Sequence, residues 1–118
     1  MERIAEYALG AVIEKNGKVG YFNVLLNITP DSDCVPWSDA PFVPDIGILA
    51  SKDPVAIDQA SFDLVNGQLG LQNTMLQSNR APGEDKFRGV WKNTNGLIQV
   101  DFAARIGLGS KDYRLIEI

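Results

Sequence analysis

The stretch DIGILASKDPVAIDQASFDLVNG, Asp45 to Gly67, constrains the fold more than any other part of the chain. It opens on a short continuous apolar run, Asp45 to Ser51, the pattern of a central strand covered on both faces. Asp53 then offers a side-chain oxygen to cap a helix, and Pro54 suits the first helical position, where its missing N–H leaves no bond unmade. Val55 to Asn66 keep helical spacing up to Gly67. A strand that feeds a helix across so short a turn asks for an α/β or α+β architecture.

The flanks extend this unit. Ile4, Ala5, Ala8, Ala11 and Val12 recur at helical spacing, which predicts a helix from about Glu2 to Lys15 with Gly17 as its stop. Lys18 to Thr29 is rich in β-formers. Its alternation puts Phe22, Val24, Leu26 and Ile28 on an apolar face, and Tyr21, Asn23, Leu25 and Asn27 on a mixed one. Pro30 to Pro44 holds four prolines and no periodicity, and an irregular connection of that length usually serves a site. Gln68 to Asn93 is polar and turn-rich, with a weak helical patch at Leu69, Leu71, Met75 and Leu76 and an open loop at NRAPGED. Asn95 to Ile106 reads as a helix closed by Gly107 and Leu108 in a Schellman-type cap, and Tyr113 to Ile118 as a last strand. The expectation is one domain, residues 1–118, with a mixed sheet of about three strands, helices packed on it, and the order α-β-β-α-α-β.

Composition excludes several functions. Eleven basic against fifteen acidic residues give a net charge of -4, so the electrostatic footprint for nucleic acid is missing. No apolar run approaches the roughly 20 residues of a membrane helix, and no signal-peptide block opens the chain. A single cysteine rules out an internal disulfide and fits a reducing compartment, so a cytoplasmic location is expected. Without histidine there is no Ser-His-Asp or Cys-His pair and no His-containing zinc site within the chain. The segment GLGS at Gly107 to Ser110 lacks the spacing of a phosphate loop.

The chemistry-bearing residues gather in TPDSDCVPW, Thr29 to Trp37. Asp31 and Asp33 stand two apart beyond a strand, where extended geometry points both carboxylates one way. Asp39 and Asp45 can fold back towards them, and such a set suits a divalent cation held by Asp31 and Asp33. The competing use of Asp31 and Asp33 is to satisfy loop N–H groups in Asx-turns. Cys34 sits in acidic surroundings, the opposite of what a nucleophilic thiol needs, so it is expected to be buried or inert. Trp37 can stack a ligand or pin the loop by packing. Asp53 is foremost a helix cap. Asp58 falls near the apolar side of its helix, where a carboxylate needs a partner. Lys86, Arg88 and Lys92 around Trp91 read as a solvated face. Two arrangements of the strands around Phe22 and Ile48 are open. The parallel one, which is expected, sets Asp31, Asp33 and Cys34 on a common sheet edge with Asp53, where open α/β sheets bind ligands. An antiparallel one makes the loop a long hairpin end with Asp53 at the opposite edge.

The segments ERIAEYALG, GKVGYFNVLLNITPDSDCVPWSDAPFVPDIGILASKDPVAIDQASFDLVN and DKFRGVWKNTNGLIQVDFAARIGLGSKDYRLIEI resemble the C-terminal part of proteins in the domain of unknown function 362 family, uncharacterised iron-sulfur centre proteins. In longer relatives a ferredoxin-like cassette of clustered cysteines precedes this part. The resemblance therefore implies a C-terminal module, with the missing N-terminal part or a redox protein as partner, or a second copy of the chain. A cubane cluster takes four thiolates, and only Cys34 is present, so no iron-sulfur cluster is expected on this chain alone. Relatives often read Asp-Cys-Asp-Cys where this chain has Asp31-Ser32-Asp33-Cys34. The expected role is scaffold or ligand and metal binding near the Thr29 to Asp45 loop. Two rivals are a carboxylate-based enzyme using Asp31, Asp33 and Asp58 with a divalent cation, and an interaction module docking on a redox partner.

Overall fold

Six elements follow one another along the chain: α1 (Glu2–Val12), β1 (Tyr21–Leu25), β2 (Gly47–Ser51), α2 (Pro54–Gly67), α3 (Lys86–Val90) and α4 (Leu97–Arg105). They are taken from a computed structural model that describes residues 1–15, 17–32 and 34–118. The class is mixed α/β, in roughly the expected order. Two strands pair where about three were expected, because residues 113–118 are exposed and carry no strand. Among the described residues no helix is long and apolar enough to cross a membrane.

The chain divides into two compact units. The first comprises Met1–Asn23, Leu49–Phe62 and Gly96–Ile118; the second comprises Val24–Ile48 and Asp63–Asn95. In the first, α1 lies against α4, and Ala5, Val55, Val100 and Ala103 are its buried centre. Two alanines among these four let the helix backbones approach closely, while Phe102, Ile106 and Leu108 supply bulk around them. Asp53 caps α2 as its sequence predicts: Oδ1 accepts the N–H groups of Val55 at 2.8 Å and Ala56 at 3.0 Å. Its other oxygen accepts the N–H of Ser110 at 2.8 Å, and Gly109 leaves the space this needs, since a Cβ there would meet the Asp53 carboxylate, with Cγ at 2.7 Å. The end of α4 is a Schellman motif. Gly107 takes φ +84, and Leu108 N–H reaches the Ala103 carbonyl at 3.0 Å, as Gly107 N–H reaches that of Ala104 at 3.1 Å.

In the second unit Phe42, Val43, Val65 and Leu76 are buried, with Ile28, Ile46, Phe87 and Val90 packed on them. The Phe42 and Phe87 rings meet edge to face, centroids 6.3 Å apart, the arrangement that ring quadrupoles favour. Leu76 enters this core from irregular chain instead of the helical patch expected at Leu69 to Leu76. Gly89 passes close beside it: a Cβ at that position would lie 2.6 Å from Leu76 Cδ1.

Three expectations about the strands need correction. Leu25 accepts from Ile46 N–H at 2.8 Å and Ile28 from Phe42 N–H at 3.1 Å, so the partner recedes as the chain advances. The pairing is antiparallel, residues 26–46 form a long hairpin connection, and the parallel arrangement behind a common edge with Asp53 does not hold. Next, β1 turns its faces the other way. Phe22 is 71% exposed, whereas Asn23 points inward because its side-chain amide donates to Asp58 Oδ1 at 3.0 Å and Ser61 Oγ at 2.9 Å. Finally, β2 is not covered on both faces, since Ile48 is 65% exposed. The strand beyond Leu25 is cut short at Asn27, whose φ of 51° leaves the β region.

Candidate functional site

The second unit contains a cleft of about 280 Å³, lined by Ile28 to Ser32 on one side, Phe42, and Phe87, Val90, Trp91 and Thr94 on the other. Each wall has a local cause. The 28–32 segment is held by the Ile28 to Phe42 backbone bond, by Thr29 Oγ1 donating to the Asp31 carbonyl at 3.2 Å, and by the Trp91 indole N–H donating to the Pro30 carbonyl at 3.1 Å. The opposite wall is α3 and the turn after it. Asp85 caps α3, its Oδ1 accepting Arg88 N–H at 3.0 Å, and Arg88 Nε donates to the Thr94 carbonyl at 3.1 Å. Phe87 and Val90 lie three apart on α3, which puts them on one side of the helix, and the extended Trp91 and the turn to Thr94 continue the wall beyond its end.

Lys86 anchors α3 from within. Its residue exposure is 0%, and Nζ donates to the carbonyls of Asn66 at 3.0 Å, Ala81 at 2.6 Å and Glu84 at 3.1 Å. The Lys86 N–H donates to Asn66 Oδ1 at 2.8 Å. An ammonium has three protons to give, and all three are used. Burial pushes its pKa below the ordinary value, while the nearby charges of Glu84 and Asp85 pull the other way. The expectation of a solvated face at Lys86 is thus overturned, because loop carbonyls replace water around the charge. Lys92 and Arg88 are exposed as expected.

The structure separates the residues singled out in the sequence. Asp31 lines the cleft. Asp33 lies outside the described residues. Cys34 is exposed, which removes the buried alternative of its expectation and leaves the inert one, and its N–H donates to Ser32 Oγ at 3.4 Å. Trp37 is 66% exposed and is not among the cleft residues, so packing does not pin the loop there; the indole bonded to the loop is Trp91. Asp39 accepts the N–H of its neighbour Ala40, and Asp45 accepts that of Asn27, 18 residues away, each at 2.7 Å. Among the described residues no group of three or more carboxylates and thiols is placed to hold a metal ion.

Asp53 and Asp58 belong to the first unit. Asp53 is committed to its cap and to Ser110. Asp58 is exposed, takes the Asn23 amide, and borders a smaller cavity of about 90 Å³ with Ile4, Ala5, Val55 and Val100 among its neighbours. Of the residues that build the larger cleft, Phe42, Phe87, Val90 and Thr94 were not singled out in the sequence, and Trp91 stood out only as the aromatic amid a charged face. One signal was available: Phe87, Val90 and Trp91 are apolar positions at i, i+3 and i+4, set among the charges that drew attention instead.

A family model described as "Domain of unknown function (DUF362)" matches residues 1–63, more than half of the chain and including the Ile28 to Phe42 part of the cleft. No curated protein and no solved structure matches the chain.

Proposed function

The chain belongs to the domain of unknown function 362 family, and from that premise we propose that it is a scaffold module that binds a small organic ligand in the cleft between the 28–32 segment and α3. The supporting observation is the cleft itself. Phe42, Phe87, Val90 and Trp91 form apolar walls, while Asp31, Ser32, Thr29 and Thr94 add a few polar groups, the usual make-up of a ligand pocket. At about 280 Å³ it falls just below the range of such pockets, about 300 to 1,000 Å³.

The resemblance to the C-terminal part of longer iron-sulfur proteins supports the scaffold half of the reading. On this reading the module works in the cytoplasm beside a redox partner or an N-terminal cassette, and brings no cluster of its own, because one thiol cannot replace four.

The two tryptophans provide a direct test, since only Trp91 borders the cleft. In a 15N-labelled chain, with the indole signals assigned through Trp37→Phe, titration with 2-phenylethanol should move the Trp91 indole N–H saturably and leave that of Trp37 in place. Phe87→Ala should weaken the response. Absence of a saturable Trp91 shift with neutral, cationic and anionic aromatic probes alike would remove the cleft as a binding site.

A further inference from the structure

We infer that the cleft selects cationic ligands, specifically a compact aromatic or aliphatic body carrying one protonated amine; this rests on the ligand-binding reading above and names its ligand class. Asp31 is the one ionisable residue among the ten described residues that line the cleft. It is half-buried, and among the described residues no donor or cation is bonded to its carboxylate, the segment being held through the Asp31 main-chain carbonyl instead. A carboxylate beside apolar walls is drawn to a cation, because low local dielectric strengthens the attraction.

The walls point the same way. Phe42, Phe87 and Trp91 present three aromatic rings, whose electron-rich faces attract ammonium groups. The cations of α3 do not compete. Arg88 is engaged by Asp85 at 3.7 Å and by the Thr94 carbonyl, and Lys86 is sealed among three carbonyls. An anionic ligand would meet the Asp31 carboxylate with no lining cation to offset it, and a net charge of -4 disfavours its approach further.

The test compares three probes of one shape: 2-phenylethylamine, 2-phenylethanol and phenylacetate, each followed through the Trp91 indole signal and by calorimetry at low and high salt. The amine should bind about five- to tenfold more tightly than the alcohol, with the acid weakest, and the advantage should shrink in salt. In Asp31→Asn the amine should lose its advantage, so that the amine and the alcohol bind alike. Equal or tighter binding of the alcohol or acid by the parent overturns the cation preference and leaves the cleft standing as a ligand site. So does an amine preference that survives Asp31→Asn. If none of the three probes moves the Trp91 signal, both the preference and the ligand-binding reading fall.

Discussion

Lys86 is the residue whose environment departs furthest from its type. A lysine at 0% exposure is tolerated because the carbonyls of Asn66, Ala81 and Glu84 replace its water. Lys86→Met keeps most of the apolar stem and removes the ammonium donors, so the Asn66 and Ala81 carbonyls keep only the N–H groups of Gly83 and Glu84 and the Glu84 carbonyl loses the Lys86 ammonium. The expected loss is about 1–3 kcal/mol, read from urea unfolding. The pH dependence has a definite sign. Because the folded pKa lies below the ordinary 10.5, the unfolded chain binds more protons between those two values, and the Lys86 contribution to stability rises with pH across that window. The stability difference between parent and Lys86→Met should therefore grow from pH 8 towards 10.5, and a difference that shrinks would contradict the desolvated setting. Asp53 is a second such residue, with three N–H groups on one carboxylate. Gly109→Ala drives a methyl group into that carboxylate and should cost about 1–3 kcal/mol. Asp53→Ala loses the cap, about 0.5–2 kcal/mol, and in that background Gly109→Ala should become much milder, a coupling that a double-mutant cycle measures.

Among the elements, those with local instructions could be read from the sequence. The start of α2 needs only Asp53 and Pro54, and the end of α4 only Gly107 and Leu108, so both are found where the sequence predicts them. β1 was misread because what turns it is remote. Asn23 faces inward for the sake of Asp58 and Ser61, 35 and 38 residues away, and no alternation pattern contains that information. The cleft was partly legible for the same reason. Asp31 stood out in its proline-rich loop, whereas the wall opposite depends on a five-residue helix held by a lysine that reads, locally, as a surface charge. The reversed faces of β1 make a clear prediction. Phe22→Thr should change stability by no more than about 0.5 kcal/mol, whereas Leu25→Ala, in the same strand but buried, should cost about 2–5 kcal/mol. Thermal unfolding of the two variants checks it, and the opposite ranking would restore the face that alternation suggested.

At the scale of the whole molecule, composition limits the chemistry more firmly than any single contact. With one cysteine and no histidine, the chain purified without oxygen and incubated with iron and sulfide should gain no stoichiometric cluster. Iron and sulfide assays with a visible spectrum check this, alongside a mass measurement to detect a cluster shared between copies; about one cluster per monomer would refute it. The sealed ammonium of Lys86 has a practical corollary. Lys15, Lys18, Lys52, Lys92 and Lys111 are all exposed, so an amine-acylating reagent should tag them within minutes while sparing Lys86 until the NRAPGED loop lifts away from α2. Mass-spectrometric readout of that one lagging acylation would then time the local opening of the loop, with the other five lysines serving as an internal clock for reagent activity.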